Sequence, residues 1–408
     1  MTNDGEGGRG IRPLMSGALA MTAIVVVSVN LRPGATSVGP ALEEIQHGLG
    51  MSATLAGVMT ALPGLCFGVV GALAVRLAQR LGLTGGIALG LLAIIGGLVL
   101  RVLTGSVWVF LLLTLVALAG MAVGNVLVPA WIKRHATDGG ERLMTIYSMG
   151  LTLGGAVGSL FVAPLIDHAP DGWRSALGVW ALTALVAVVP WAVISRRERK
   201  DPADHRMPRV AHVGRMTSSR TAVALCVYFG VQAMNAYVQF GWLPQIYRDA
   251  GLSVGEAGSL LAMLTGLGVV GGLLMPMLIA RSSNMSWAVL LLGVCMVLGY
   301  LGLWLAPAST PWLWAALLGI AGWTFPGAIA MITARTRDPQ VTGQVSGFVQ
   351  PVGYVLAAVG PLLVGVIHEL TGGWSAVVIL LALSGVVMTG AGLLVAKRTY
   401  IDDELHTA

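Results

Sequence analysis

The feature that most constrains this chain is a series of twelve continuous apolar runs, each close to 20 residues long. A helix of about 20 apolar residues crosses the ~30 Å hydrocarbon core of a bilayer. Strands of membrane β-barrels alternate apolar and polar residues, and therefore do not give such runs. The runs predict an all-α integral membrane protein whose twelve transmembrane helices lie at 14–42, 52–74, 84–103, 106–130, 143–166, 174–194, 221–247, 255–279, 285–306, 311–334, 341–366 and 374–396.

The composition agrees with lipid as the surrounding solvent. Hydrophobic residues make up 56% of the 408 positions and charged residues only 10%, whereas a soluble protein carries roughly a quarter charged residues. The chain also has 56 glycines, which suit helices that pack closely inside a membrane. These values exclude a soluble globular protein.

The placement of the basic residues predicts the orientation. The chain has 24 Lys and Arg residues and a net charge of +6. With the N-terminus in the cytoplasm, all but Arg32, Arg101, Arg174 and Arg248 fall in predicted cytoplasmic segments. This asymmetry follows the positive-inside rule and predicts that both termini are cytoplasmic. It leaves no basic stripe for nucleic-acid binding, so lipid and a small-molecule substrate are the expected partners.

An internal repeat divides the chain into two halves of six helices. The segment 49–57 aligns with 250–258 at an offset of 201, and at the same offset Arg134 meets Arg335. Parallel, pseudo-symmetric repeats of this kind are typical of the major facilitator fold, in which a central site is exposed alternately to either side. The predicted units are an N-terminal half at 1–194, a basic cytoplasmic linker at 195–220, a C-terminal half at 221–396 and a cytoplasmic tail at 397–408.

Arg32 lies close to the middle of the first predicted helix, two residues after Asn30. Placing a guanidinium there costs ~2.5–3.5 kcal/mol on insertion scales. Pro33 and Gly34 follow directly, so we expect the helix to kink beside the charge. A forked cationic donor beside a kink suits a small anion, or a planar group with acceptor edges. The alternative is an interfacial arginine whose charge reaches the headgroups.

The seventh predicted helix carries polar residues at the depth that the repeat equates with Arg32. Gln232 and Asn235 share a face, and Gln239 follows one turn later, with Tyr237 nearby. Amides and an aromatic edge orient a ligand without adding charge. Hydrogen bonding between helices is the alternative for these residues.

Other polar residues of the spans complete the predicted substrate site. On the eleventh helix, Ser346, Gln350 and Tyr354 recur every four residues and form one polar face. The remaining candidates, on the fourth, fifth and tenth helices, are Asn125, Tyr147 and Trp323.

The residue types that catalysis and metal binding require do not lie deep in the spans. The acidic residue nearest a span interior is Glu256, at the predicted outer start of the eighth helix, and all seven histidines fall in loops or at helix ends. Cys66, Cys226 and Cys295 lie at unrelated depths and indicate packing. We therefore expect neither an enzyme nor a metal or cofactor protein. A receptor or channel remains the alternative from another class, and the expected state is a monomer.

Three segments resemble the cyanate/nitroimidazole (CynX/NimT-type) transporters of the major facilitator superfamily. They are 30–40 (NLRPGATSVGP), 124–129 (GNVLVP) followed by Lys133-Arg134, and 346–354 (SGFVQPVGY) followed by Gly360-Pro361. The resemblance covers essentially the whole chain. It departs from the superfamily pattern at Val75, where an acidic residue is usual, and at Val349 and Pro351, beside Gln350.

The resemblance implies a bacterial inner-membrane transporter that works by alternating access. By matching position it supports Arg32, Asn125, Gln350 and Tyr354 as substrate-binding residues. Since Arg32 favours negative charge, the expected cargo is a cyanate-like anion or a small organic acid. The alternative is an efflux transporter for neutral nitro-aromatic or drug-like compounds.

Overall fold

The computed structural model describes residues 17–135, 141–169, 172–198 and 215–406. Within these ranges the chain forms helices and no β-strand, and twelve helices are long and apolar enough to cross a membrane. This confirms the predicted fold class. In chain order they are α1 (Ala18–Thr36), α2 (Ala53–Val70), α3 (Leu73–Leu103), α4 (Val107–His135), α5 (Arg142–His168), α6 (Trp173–Arg196), α7 (Arg220–Asp249), α8 (Val254–Arg281), α9 (Ser286–Leu305), α10 (Pro311–Ala334), α11 (Gln340–Thr371) and α12 (Ser375–Ala396).

Because the twelve helices alternate in direction, α1 begins and α12 ends on the same side of the bundle. We call this the near side, and the opposite one the far side. A short helix, Leu42–Leu49, joins α1 to α2 on the far side. On the near side a 3-10 turn, Met216–Ser218, precedes α7, and a helix at Ile401–His406 follows α12.

The first helix is interrupted beside Arg32, at the predicted kink. Regular helix runs over Gly17–Asn30, stops, and resumes as one short turn at Pro33–Thr36. The cause is local, because Pro33 has no N–H to donate and its ring crowds the preceding turn. α10 is interrupted in a comparable way between Pro311–Ala321 and Thr324–Ala334.

The connection between α2 and α3 differs from the predicted loop at 75–83. Helical structure continues through Gly71–Leu103 and reverses at Gly82, where φ is 75° and ψ is 166°. This backbone conformation is essentially restricted to glycine. The reversal places Gly86 opposite Leu77. Residues 73–81 of α3 therefore continue from α2, and the chain turns at Gly82 into the rest of α3.

The first six helices contact the last six from the far side to mid-depth, through α1 with α7, α2 with α11 and α5 with α8. Glycines allow the backbones to approach closely. Such approaches set Gly39 against the carbonyl of Phe240, Gly57 against the carbonyl of Pro361, and Gly258 against the carbonyl of Ser159. Among the described helices, α4 of the first half and α10 of the second do not pack extensively against each other.

The tail after α12 is folded back onto the near side. The Asp402 carboxylate accepts hydrogen bonds from the backbone N–H groups of Arg337 and Asp338, at 3.0 Å each. The Glu404 carboxylate accepts from the hydroxyl and N–H of Thr221, at the start of α7. The tail thus fastens the near ends of α7 and α11 together. Of the predicted linker 195–220, residues 199–214 lie outside the described residues, and the domain limits stay predictions.

Candidate functional site

A cavity of about 30 Å³ lies between the two halves, beside the interruption of α1. Its walls come from α1, α2 and α4 of the first half and from α7 of the second. Towards the far side it is closed by the contacts of Gly39 with Phe240 and of Gly241 with Thr60. A cavity of this size accommodates only a few heavy atoms.

Arg32 forms part of this cavity wall. It is half-buried and precedes the short turn at Pro33–Thr36, with φ at −127°. Among the described residues, no hydrogen bond or ion pair engages its guanidinium, whose carbon lies 5.8 Å from the ring centroid of Phe67. Its charge is close enough to interact with the hydroxyls of Tyr147, Tyr237 and Tyr354. The site is therefore cationic and edged by tyrosines.

Aromatic rings from both halves meet at Arg32. Phe67 of α2 lies parallel to Tyr237 of α7, with ring centroids 6.4 Å apart, and 5.6 Å from Tyr354 of α11. Tyr237 and Tyr354 are themselves 6.3 Å apart. Two of these three residues are predicted site residues. Together the rings offer flat apolar surface next to a positive charge.

Phe67 was missed in the sequence. It lies in a π-helical turn, Cys66–Val70, which inserts an extra residue into α2 and rotates the following side chains. The available sequence signal was Pro63, which interrupts the helical hydrogen bonding one turn earlier.

Asn125 and Tyr147 form a pair between α4 and α5. The Tyr147 hydroxyl donates to the Asn125 side-chain oxygen at 3.2 Å, and the Asn125 amide donates to the Met121 carbonyl at 2.9 Å. Tyr147 is 5% exposed, while Asn125 is half-buried. The pair fixes the tyrosine that is electrostatically coupled to Arg32.

Two of the three predicted amides on α7 form hydrogen bonds with neighbouring helices of their own half. Asn235 donates to the Ser384 hydroxyl at 2.9 Å and accepts from the Tyr300 hydroxyl at 2.8 Å. Gln239 donates to the same tyrosine at 3.0 Å. Gln232 is 1% exposed, and its Oε1 has no hydrogen-bond partner. Asn235 and Gln239 therefore have the alternative role considered above, hydrogen bonding between helices, and they lie away from the cavity wall.

The other predicted residues also have local partners. Asn30 accepts from the Thr183 hydroxyl at 2.6 Å, which joins α1 to α6. Trp323 donates to the Leu267 carbonyl of α8 at 2.9 Å. Gln350 donates to Ser346 at 2.8 Å, one turn away on the same half-buried face. Of the predicted set, the structure thus places three tyrosines, Tyr147, Tyr237 and Tyr354, around Arg32. Asn30 and Trp323 instead bind neighbouring helices of their own halves.

A second cluster of charges, also missed in the sequence, joins the two halves on the far side. Arg248, at the end of α7, forms ion pairs with Glu43 and Glu44 of the short helix Leu42–Leu49, at 2.8 Å each. It also donates to the Pro40 carbonyl at 3.3 Å. We call these three charged residues the far-side latch. Its partners are about 200 residues apart in sequence, so no local pattern indicated it.

The described part of the chain contains no group of three or more His, Cys, Asp or Glu side chains that could hold a metal ion. Its three cysteines are buried and unpaired.

Comparisons with known proteins agree on the family. The profile of the Major Facilitator Superfamily matches residues 19–357. The chain is 32% identical to the uncharacterized transporter YycB of Bacillus subtilis over 93% of this chain and 94% of that protein. It is 30% identical to two Escherichia coli proteins. They are the cyanate transport protein CynX, over 87% of this chain and 91% of CynX, and the 2-nitroimidazole transporter, over 91% and 94%.

Solved structures agree on the fold. The inward-open xylose transporter XylE from E. coli superimposes with a TM-score of 0.69 at 12% identity, over 92% of this chain and 94% of XylE. This chain, with its twelve membrane-spanning helices among the described residues, therefore shares the fold of that transporter. The chain belongs to the major facilitator superfamily, and it is a secondary transporter and not an enzyme.

Proposed function

We propose that this transporter carries a small planar anion, or a small organic acid in its anionic form, across a bacterial inner membrane. Arg32 binds the negative charge, and Phe67, Tyr237 and Tyr354 flank the rest of the solute. Most basic residues fall in segments on the near side, so by the positive-inside rule the near side is the cytoplasmic side and both termini are cytoplasmic. One chain supplies every group of this site, which is consistent with a monomer.

The observation that carries the proposal is the guanidinium of Arg32, half-buried in the inter-half cavity without an acidic partner in the described residues. A cation inside a membrane protein is costly, and it normally pairs with an opposite charge. A substrate that arrives with its own negative charge provides that pairing while it is bound. The fork of an arginine also matches the two acceptor edges of a planar anion.

The size of the cavity favours a small cargo. At about 30 Å³ with the far side in contact, the space next to Arg32 fits a few heavy atoms. Cyanate, the solute in the name of one relative, is a three-atom anion.

A second candidate is a neutral nitro-aromatic compound, and the ring cluster favours it. The parallel rings of Phe67 and Tyr237, with centroids 6.4 Å apart, would stack on an aromatic ligand after a modest separation. The relative named as a 2-nitroimidazole transporter agrees with this candidate. The two candidates differ in their dependence on the charge of Arg32.

The experiment is a thermal-stability screen on the detergent-purified chain, followed by counterflow in proteoliposomes. The ligands are cyanate, nitrate and short carboxylates, with 1-methyl-2-nitroimidazole as a neutral probe. Wild type is compared with Arg32→Gln, Arg32→Lys and the control Arg281→Gln, which removes an exposed positive charge outside the cavity. An anion at ~100 times its dissociation constant should stabilise wild type and the control by ~2.7 kcal/mol.

We expect Arg32→Gln to lose that stabilisation and Arg32→Lys to keep a part of it, since lysine retains the charge without the fork. Counterflow of the anion should follow the same order. If the neutral probe stabilises wild type and Arg32→Gln equally and no anion acts on either, the anion proposal is wrong and the neutral candidate replaces it.

A further inference from the structure

A second arginine, Arg101, lies directly behind the interruption of α1. It is fully buried near the far end of α3. Its Nη1 and Nη2 both donate to the carbonyl oxygen of Gly34, at 3.2 Å each, and its guanidinium carbon lies 6.0 Å from the ring centroid of Phe110. No carboxylate of the described residues pairs with it, and its Nε has no partner.

Arg335, also fully buried, shows what a structural arginine in this bundle looks like. Its three nitrogens donate to three different carbonyls, those of Val395, Ala396 and Ala334, at the near ends of α12 and α10. Arg101 directs two nitrogens at a single carbonyl and leaves the third unused. A buried guanidinium with so few acceptors is costly, and an apolar side chain would normally be at least as stable there. Helix packing alone therefore does not account for Arg101.

The carbonyl that Arg101 binds is one that the broken helix leaves open. In a continuing helix, the N–H of Val38 would donate to Gly34 O, but it donates to the carbonyl of Ala35 at 3.3 Å. Arg101 supplies the missing donors. The same glycine packs against the side chains of Met121 and Leu98, which would have to shift to admit a Cβ. The turn that follows Arg32 is thus held by α3 and α4.

Gly34 also lines the cavity, two residues after Arg32. Arg101 therefore binds directly to a residue of the cavity wall. Two hydroxyls beside this turn, Ser37 Oγ and Thr114 Oγ1, are buried and have no hydrogen-bond partner, and Thr114 lines the cavity as well. The region holds two unneutralised guanidinium groups and spare hydroxyl donors, a combination that suits a negatively charged ligand.

We propose that Arg101 is a positioning residue of the anion site: by binding the open carbonyl of Gly34 it fixes the turn after Arg32, and so holds the Arg32 guanidinium in the cavity. The inference rests on the proposed function, because it deepens the account of the same site. Lysine at this position would keep the charge but could not present two donors from one plane to the carbonyl. Methionine would keep the approximate volume of the side chain but lose both the charge and the hydrogen-bond donors.

The test measures the dissociation constant of sodium nitrate by isothermal titration calorimetry on the purified full chain. The variants are Arg101→Lys and Arg101→Met, with Arg335→Lys as the matched control, a buried arginine on the near side away from the cavity. We expect Arg101→Lys to weaken nitrate binding about tenfold and Arg101→Met more strongly, while Arg335→Lys stays within about twofold of wild type. Unliganded thermal midpoints are recorded for all three.

Wild-type nitrate affinity in Arg101→Lys would overturn the inference, as would an equal loss in Arg335→Lys. Should neither Arg101 variant purify as folded protein, Phe110→Leu gives the same readout with the arginine in place. Removing the ring beneath the guanidinium should then weaken nitrate about threefold, and an unchanged constant would overturn the inference.

Arg32→Gln is measured alongside to separate the two proposals. If it binds nitrate as wild type does, the proposed function fails, whatever the Arg101 variants show. If it loses nitrate while the Arg101 variants keep it, only the positioning role fails.

Discussion

Arg248 at the end of α7 is bonded to Glu44, in the connection between α1 and α2, at 2.8 Å, and this ion pair joins the two halves of the molecule on the far side. Glu43 adds a second pair to the same guanidinium. Because the halves must separate on this side for a solute to enter or leave there, the far-side latch opposes that step.

Arg248→Gln should therefore shift the molecule towards states that are open on the far side. The arginine is 14% exposed and its partners 40% and 22%, so water screens part of the attraction, and we expect a shift of about 1–2 kcal/mol, or roughly 5- to 30-fold in population. The measurement is labelling of Thr60→Cys, at the buried contact with Gly241, by a membrane-impermeant maleimide. Arg174→Gln is the control, since the contacts of Arg174 in the described structure lie within its own half, with the carbonyls of Val102 and Thr104 and the ring of Trp173. Equal labelling in both variants would contradict the role of the latch.

The glycine contacts between α2 and α11 should be required for closure of the far side. A Cβ at Gly57 would lie 3.0 Å from the carbonyl oxygen of Pro361, so Gly57→Val should force the helices apart. We expect at least a tenfold lower counterflow rate and faster labelling at Thr60→Cys. Gly347→Val, on the same helix as Pro361 but facing open space, should change neither. A normal rate in Gly57→Val would show that these helices do not close against each other during transport.

Two residues of α7 separate stability from binding. Asn235→Ala leaves the buried Tyr300 hydroxyl without its acceptor and should cost about 1 kcal/mol of stability, with unchanged anion affinity. Tyr237→Phe removes a hydroxyl from the cavity that Arg32 also lines, and should weaken anion binding several-fold with little change in stability. Thermal midpoints and titration calorimetry check both. The opposite assignment of effects would place the amide, and not the phenol, in the site.

The near-side tail should detach in acid. Burial opposes ionisation of Asp402 and Glu404, but hydrogen bonds outweigh it: those from the N–H groups of Asp338 and Arg337 lower the pKa of Asp402, and those from Ser219 and Thr221 lower the pKa of Glu404. A lowered pKa in the docked tail means that docking is fully stabilised above the ordinary carboxyl pKa, and is lost as the pH falls through the lowered value.

Glu404→Gln imitates protonation at neutral pH, and hydrogen exchange checks it. We expect faster amide exchange over residues 399–406 at pH 7 in this variant. Asp403→Asn, at an exposed ion pair with Arg337, is the control and should exchange nearly as wild type does. Unchanged exchange in Glu404→Gln would mean that the carboxylate does not hold the tail.

The sequence predicted the helices well because lipid requires each span to satisfy its own backbone and to be apolar for about 20 residues. The interruption of α1 was also predictable, since Arg32-Pro33 carries its own local cause. The direction of the α7 side chains was not. α7 is buried on nearly all sides, so apolar periodicity does not show that Asn235 faces α12 while Tyr237 faces the cavity. The ion pair of Arg248 with Glu44 depends on how the halves meet, which no local pattern records.

The extra residue in the π-helical turn Cys66–Val70 has a consequence for how such transporters diversify. Each residue of a helix turns the chain by about 100°, so loss of one codon in this stretch would re-aim Phe67 and leave the composition of α2 nearly unchanged. Under the proposed function, the loss of one residue in this turn would therefore change which side chain of α2 lies beside Arg32, with no substitution at any other wall residue. Structures of relatives with and without the extra residue would show this change as a different side chain of α2 beside the arginine that corresponds to Arg32.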